Sequence, residues 1–465
     1  MARIVIIGGG PGGYEAALAA AAYGADVTVI DSDGIGGACV LWDCVPSKTF
    51  IASTGIRTEV RKAVDLGINI SVDDTFVTLP QIHQRVKDLA HAQSADIRAR
   101  LVSEGVAIVN ARGSIAKASP GQHEVLATHP DGSTATFVGD VVLLATGASP
   151  RELPDAKPDG DRILSWRQLY DLDELPEHLV VIGSGVTGAE FVHAYTELGV
   201  KVTLVSSRDR VLPHEDEDAA LVLEEAFSER GVTLIKHARA DKVTNTGDGV
   251  LVELADGATV TGSHALMAVG AIPNTKDLGL EEAGVTVTDS GHIAVDRVSR
   301  TSVPGIYAAG DCTGLLPLAS VAAMQGRIAM YHALGEGVSP LRLKTVASAI
   351  FTRPEIATVG VSQNSIDSGE TPARTVMLPL TTNPRGKMSG LRRGFVKIFC
   401  RPQTGVVIGG VIVSPNASEL ILPLAIAVEN ELQVSKLAHT FSVYPSLSGS
   451  ITEAARQLVR HDDLD

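Results

Sequence analysis

Residues 3–31 read "RIVIIGGGPGGYEAALAAAAYGADVTVID", and the reading of this stretch decides the fold. It opens on a continuous apolar run of the kind buried in a parallel sheet. Gly8, Gly10 and Gly13 follow in GxGxxG spacing, then an alanine-rich helix over Tyr14–Tyr23, then a second strand that ends at Asp31. Gly8 permits the tight turn, Gly10 lets backbone approach a pyrophosphate, and Gly13 lets the helix pack against the strand. The helix N-terminus then presents its N–H groups to the phosphates. Asp31 is placed to accept hydrogen bonds from an adenosine ribose.

A single glycine turn can be only a turn, but this one recurs. Residues 178–191, "HLVVIGSGVTGAEF", carry Gly183, Gly185 and Gly188, and the strand "VKVTLVS" ends at Ser206. The interval from Gly8 to Asp31 equals that from Gly183 to Ser206. Two βαβ units in one register predict two bound dinucleotides. The first ends in a carboxylate, which suits a free ribose diol such as that of FAD. The second ends in Ser206, followed by Ser207, Arg208 and Arg210. An acid there would repel a 2′-phosphate, whereas serine beside arginine can accept one. The second site is therefore read as NADPH-competent with NADH also accepted; the alternative is that the arginines sit on a solvated loop.

Composition bounds the rest. At 465 residues the chain holds several domains, and 46 glycines with 4% aromatics suit an α/β protein rich in strand-to-helix turns. A net charge of −15 argues against a nucleic-acid or anionic-membrane surface. Four cysteines without CxxC spacing argue against a disulfide scaffold, and no metal site is expected. The run "LILPLAIAV" is short and interrupted by Pro423, so no membrane span is expected. With no signal-peptide pattern at the start, a cytoplasmic protein is the expectation.

Further stretches act together with the glycine turns. "VVLLATGASP" contains Thr146 and Gly147, "TSVPGIYAAGDCTG" contains Asp311, and "AIFTRPEIATVG" precedes a C-terminal α+β segment. With "GGACVLWDCVPSK" over Gly36–Lys48, the chain resembles the flavoprotein pyridine nucleotide-disulfide oxidoreductases along its whole length, in particular the lipoamide dehydrogenase branch. The resemblance implies an FAD domain in two segments, 1–149 and 271–340, an NAD(P) domain at 150–270, and a homodimer interface domain at 341–465. It also implies that Asp311 binds the ribityl chain, that Gly113 lies at the adenine, and that Gly37 and Ala319 lie near the flavin. Gly270 would belong to the NAD(P) site. Lys48 would approach flavin N5 and pair with Glu190. An exposed helix lysine is the plainer alternative for Lys48.

Cys39 and Cys44 are five positions apart. On a regular helix their Cα atoms would be about 8–9 Å apart, too far for a disulfide, so the chain must leave helical geometry here. Gly36 and Gly37 are the expected place. By the resemblance, Cys44 would face the flavin and Cys39 would exchange with a substrate. The insert "VLWD" sets Asp43 beside a thiol, which disfavours the thiolate, and Trp42 crowds the approach. The alternative is a pair of loop side chains pointing to water.

The resemblance fails at one place. Disulfide-reducing relatives carry a catalytic histidine, reaching in from the partner subunit, with a glutamate five positions later. Here "SVYPSLSGS" puts Tyr444 and Gly449 at those positions. A phenol is a poor base at neutral pH and glycine orients nothing. His439 sits five positions early and reads as a helix-end residue. The expectation is an α/β flavoprotein, an NAD(P)H:quinone reductase offshoot of the family, with poor disulfide turnover. A dihydrolipoyl dehydrogenase-like reductase and a non-catalytic flavoprotein scaffold are the alternatives. A mercuric reductase is disfavoured because the tail "RQLVRHDDLD" lacks a cysteine pair.

Overall fold

The computed structural model describes residues 1–71, 75–119 and 121–460; the end of the quoted tail, 461–465, lies outside them. The chain divides into two compact units. The first comprises Met1–Thr49, Gln81–Arg151 and Gly270–Leu343, and the second Phe50–Pro80, Glu152–Val269 and Lys344–Asp465.

The first unit is built on a five-stranded parallel sheet. Its order is Ile306–Ala308, Val141–Leu144, Arg3–Ile7, Asp26–Asp31 and Ala107–Asn110. The central strand is flanked on both sides, and Ile4, Val5, Ile6 and Ile7 are all buried, which is why it reads as an unbroken apolar run rather than an alternating one. The helix that follows spans Pro11–Ala22, starting before the predicted Tyr14 because proline at its first turn is already helical in φ. Its small residues let it lie close to the helix Ala319–Ala333. A Cβ added to Gly326 would fall 2.1 Å from the Gly12 carbonyl oxygen, so this contact admits nothing larger than glycine. An antiparallel three-stranded sheet, Arg112–Ser119, Gln122–Thr128 and Thr134–Gly139, completes the unit's excursion from the parallel sheet.

The second unit repeats this plan. Its parallel sheet runs Thr233–Ile235, Lys201–Val205, His178–Ile182, His264–Met267, Ile163–Ser165. It too has a three-stranded antiparallel excursion, formed by Ala240–Asn245, Val250–Leu254 and Thr259–Gly262. The duplicated glycine turns thus sit in duplicated sheets. The same unit contains a five-stranded antiparallel sheet in the order Ala347–Ile350, Glu355–Gly360, Val407–Ser414, Phe395–Cys400, Arg374–Pro379. The helices Leu422–Glu429, Val434–Ala438 and Gly449–Leu458 close its core, with Leu424, Leu437, Ile451 and Leu458 buried.

Lys397, 2% exposed in that sheet, reaches Asp216 at 2.8 Å and Asp218 at 2.6 Å, just before and within the helix Glu217–Glu229. Removing one partner of such a buried set typically costs about 3–5 kcal/mol. Among the described residues no helix is long and apolar enough to cross a membrane.

Candidate active site

The two glycine turns are geometrically the same. Gly8 has φ +108° and Gly183 φ +111°; at each, a Cβ would lie 2.2 Å from a carbonyl oxygen, that of Ala145 or of Ala268. A Cβ on Gly13 or Gly188 would lie 1.9 Å from the oxygen of Gly8 or Gly183. The middle glycines differ in kind. Gly10 and Gly185 have ordinary extended backbone, and a Cβ at Gly185 would meet nothing within 4 Å, at Gly10 only the Gly37 Cα at 3.9 Å. Open space at the middle glycine, directly at a helix N-terminus, is the cradle a pyrophosphate needs. Both turns fit a dinucleotide.

The ribose ends diverge. Asp31 accepts from the backbone N–H of Gly9 at 2.6 Å, Asp33 at 2.9 Å and Gly34 at 2.5 Å. Burial pushes its carboxyl upward, and these three donors oppose that. Ser206 does not present itself as expected. It is 2% exposed; its hydroxyl shares a 2.7 Å hydrogen bond with Ser184 and accepts from Arg208 N–H at 3.0 Å. Arg210 is occupied by Glu217 at 3.4 Å. Arg208 is exposed, and among the described residues its guanidinium has no ion pair. Ser206 therefore shapes the turn, leaving Arg208 as the cation available to a phosphate.

Around the first turn, Thr146 and Gly147 (φ +66°) form a second bend. Asn274 holds it, with the Thr146 hydroxyl donating to the Asn274 carbonyl at 2.7 Å and the Asn274 amide donating to the Thr146 carbonyl at 2.9 Å. Asp311 opens a short turn after Gly310, and Gly310 N–H donates to the fully buried Gln325 at 2.9 Å. Asn274 and Gln325 were missed from sequence because their partners lie over a hundred and about fifteen positions away, with no motif marking them. Burial raises the Asp311 carboxyl, with His292 opposing. Among the described residues no hydrogen bond reaches it, so it is a desolvated acceptor suited to a ligand hydroxyl. Gly113 is buried on its strand, its Cβ position 2.9 Å from Ile7 Cγ2. Ala319 opens its helix. Gly270 (φ +91°) accepts from Arg151 N–H at 2.9 Å.

The thiol turn is seated on the first glycine turn. A Cβ on Gly37 (φ +59°) would fall 2.7 Å from the Gly10 Cα. Cys39 lies on a short helix, Gly37–Leu41, and Cys44 begins the helix Cys44–Ala63. The chain leaves helical geometry at Gly36 (φ +101°) and Gly37, as expected, and again after Cys39. The Ala38 carbonyl accepts from Trp42 N–H at 2.9 Å and also from Asp43 N–H at 2.7 Å, a widened turn that absorbs one extra residue. The helix register restarts at Asp43, whose carbonyl accepts from Ser47 N–H. Both thiols are partly buried, so they are not loop side chains pointing to water. Cys44 donates to Cys39, which holds the Cys39 thiol below its ordinary range. Burial and Asp43 oppose this and Lys48 assists it. The same bond, with burial, holds the Cys44 proton well above the ordinary thiol range. Asp43 acts in the expected direction but does not decide the outcome at Cys39. Lys48 Nζ lies 3.3 Å from the Ser47 hydroxyl. Glu190, 3% exposed in the second unit, accepts from Phe351 N–H at 3.0 Å.

Near the C-terminus, Tyr444 is 82% exposed, beside Val443 at 76% and a fully exposed Phe441. Gly449 begins the last helix and donates from its N–H to the Ser446 hydroxyl at 3.0 Å. His439 caps the helix Val434–Ala438, with Nδ1 donating to the Ser435 carbonyl at 2.7 Å.

Residues 2–326 match the family model described as pyridine nucleotide-disulphide oxidoreductase, and residues 346–455 match that family's dimerisation domain. The chain belongs to this family. Membership implies use of a flavin and of NAD(P)H. A protein of Mycobacterium tuberculosis named NAD(P)H dehydrogenase (quinone) is 68% identical, with 100% of this chain and 95% of that one covered. A dihydrolipoyl dehydrogenase of Chlorobaculum tepidum is 31% identical, covering 97% and 96%. Among solved structures, LpdA from Mycobacterium tuberculosis superposes with a TM-score of 0.96 at 66% identity, covering 99% of this chain and 100% of that one. The HOCl-induced flavoprotein disulfide reductase RclA from Escherichia coli, at 24% identity, shares the fold with a TM-score of 0.86, covering 98% and 99%.

Proposed function

We propose that the protein is a cytoplasmic, homodimeric, FAD-dependent NAD(P)H dehydrogenase that reduces a quinone: NAD(P)H, one proton and the quinone give NAD(P)⁺ and the hydroquinone. The observation that carries this reading is an intact pair of nucleotide cradles combined with tyrosine and glycine where disulfide reductases keep their acid–base pair. The 68% identical relative named NAD(P)H dehydrogenase (quinone) supports it.

Gly8, Gly10, Gly13, Gly37 and Asp31 would hold the FAD pyrophosphate and ribose, with Gly113 at the adenine. Thr146, Gly147, Asp311 and Ala319 would hold its ribityl and ring portions. When bound, FAD supplies a centre that accepts a hydride from the nicotinamide and returns two electrons to the acceptor. Gly183, Gly185 and Gly188 would seat the nicotinamide nucleotide beside Gly270, and Arg208 would favour NADPH over NADH. Lys48 and Glu190 would place a fixed charge pair at the flavin, lowering the cost of charge that develops there. In this reading residues 1–149 and 271–340 serve FAD, 150–270 serve NAD(P)H, and 341–465 form the interface.

A disulfide substrate needs its leaving thiolate protonated by a positioned group, whereas a hydroquinone can take its proton from water. Neither Tyr444 nor His439, committed to the Ser435 carbonyl, supplies that group. The half-buried thiol pair favours one second reading, a dihydrolipoyl dehydrogenase-like reductase. Anaerobic NADPH addition tests the enzyme reading against a scaffold: the yellow flavin absorbance is expected to bleach rapidly, and flavin that stays oxidised would overturn it.

A further inference from the structure

The second unit contains a cavity of about 540 Å³ that the nucleotide and thiol sites do not use. It is walled by the end of the helix Cys44–Ala63, the ends of the helices Val186–Glu197 and Glu217–Glu229, and the loops at 352–355 and 390–393. Its volume lies within the range of about 300–1,000 Å³ typical of small-molecule sites.

Its charge is uneven with depth. Arg61, Arg230, Arg353 and Arg393 line it around Glu197, whose side chain is 1% exposed. Glu197 Oε1 lies 3.2 Å from Arg230 Nε, and its Oε2 lies 3.3 Å from Arg61 Nη1 while also accepting from Thr58. One buried carboxylate therefore sits between two of these guanidiniums, and Lys62, Arg392, Asp65 and Glu355 also line the cavity. The other acidic partners sit in water: Glu59, paired with Arg353, is 58% exposed, and Glu229, paired with Arg393, is 66% exposed. Exposed ion pairs of this kind are held weakly and yield readily.

Two further observations mark the crowding. Burial depresses the Arg230 guanidinium; Glu197 opposes this, while Arg393, Arg61 and Arg353 add to it. Arg393 Nη1 is buried without a hydrogen-bond partner among the described residues, although a buried charged donor ordinarily finds one. Arg353 passes over Gly55, where a Cβ would fall 2.4 Å from its Nη2 and the guanidinium would have to move aside.

We propose that this cavity binds a small phosphorylated anion of di- or triphosphate charge. A multiply charged ligand can displace the exposed Glu59 and Glu229 from Arg353 and Arg393, and the planar guanidinium forks match phosphoryl oxygens bidentately. The test is isothermal titration of inorganic pyrophosphate into FAD-loaded protein saturated with NADP⁺, so that both glycine turns are already filled. One binding event per chain is expected. Arg230→Gln and Arg393→Gln should each weaken it at least tenfold, while Arg392→Gln, at the rim against Asp65, should change it less than twofold. If Arg230→Gln does not fold, Arg393→Gln decides alone. Absence of binding under NADP⁺ saturation, unchanged affinity in the folded variants, or binding of citrate but not pyrophosphate would overturn the proposal.

Discussion

Gly185→Val and Gly188→Ala separate ligand approach from packing at the second glycine turn. Gly185 has φ −73° and ψ −172°, backbone that valine adopts readily, and its Cβ position is open. The variant should melt within about 0.5 kcal/mol of wild type, as substitutions away from packed features do. Yet the new side chain occupies the space through which backbone would approach the pyrophosphate. Losing one charge-assisted hydrogen bond costs about 1.5–3 kcal/mol, so NADPH affinity should fall roughly 10- to 150-fold. Gly188→Ala should do the opposite. Its methyl would lie 1.9 Å from the Gly183 oxygen, and overpacking of this kind costs about 1–3 kcal/mol of stability. The assay is a thermal melt of each variant with a parallel fluorescence titration of NADPH. If Gly185→Val binds NADPH within threefold of wild type, the turn does not hold a pyrophosphate and the nucleotide assignment fails.

Three other outcomes follow from the site. Arg208→Gln should weaken NADPH about 10- to 150-fold by loss of one charged hydrogen bond and leave NADH within twofold; equal KM changes for the two would show that this loop does not read the 2′-phosphate. In reduced protein, Cys39 should alkylate before Cys44 and at a pH below the ordinary thiol range, because Cys44 donates to its thiolate. Cys44→Ala removes that donor, so the Cys39 pKa should rise and its alkylation at neutral pH should slow by roughly tenfold per pKa unit; an unchanged pH profile refutes the bond. Finally, the exposed Phe441, Val443 and Tyr444 should be covered by a second copy, so Phe441→Asp with Val443→Asp should shift sedimentation from dimer toward monomer, and an active wild-type monomer would contradict this.

The sequence made the duplicated α/β plan legible because its signals are local. A left-handed glycine before a helix and an unbroken apolar strand need no distant partner to be recognised. The second irregularity of the thiol turn, after Cys39, is not legible, for the converse reason. The Ala38 carbonyl accepts two successive N–H groups, a widened turn with no residue signature, whereas Gly36 and Gly37 advertise a bend. Ser206 was read for its chemistry, but its burial against Ser184 depends on how the next loop folds back. Asn274 and Gln325 hold the turns at Thr146 and Gly310 through contacts distant in sequence, as do the arginines around Glu197. The departures at Tyr444 and Gly449 were visible only against the family pattern.

The central claim is that the chain keeps the nucleotide machinery of its family while lacking the acid–base group that disulfide turnover needs. Steady-state NADPH oxidation by the wild-type protein, with a naphthoquinone, lipoamide and glutathione disulfide compared at equal concentration, tests it most directly. A missing positioned acid–base typically costs about 10²–10⁴-fold, so quinone turnover should exceed either disulfide rate by at least about a hundredfold, and Cys39→Ser should retain most of the quinone rate. Disulfide turnover within tenfold of the quinone rate would contradict the account, because some group other than a histidine at position 444 would then be handling the thiol proton.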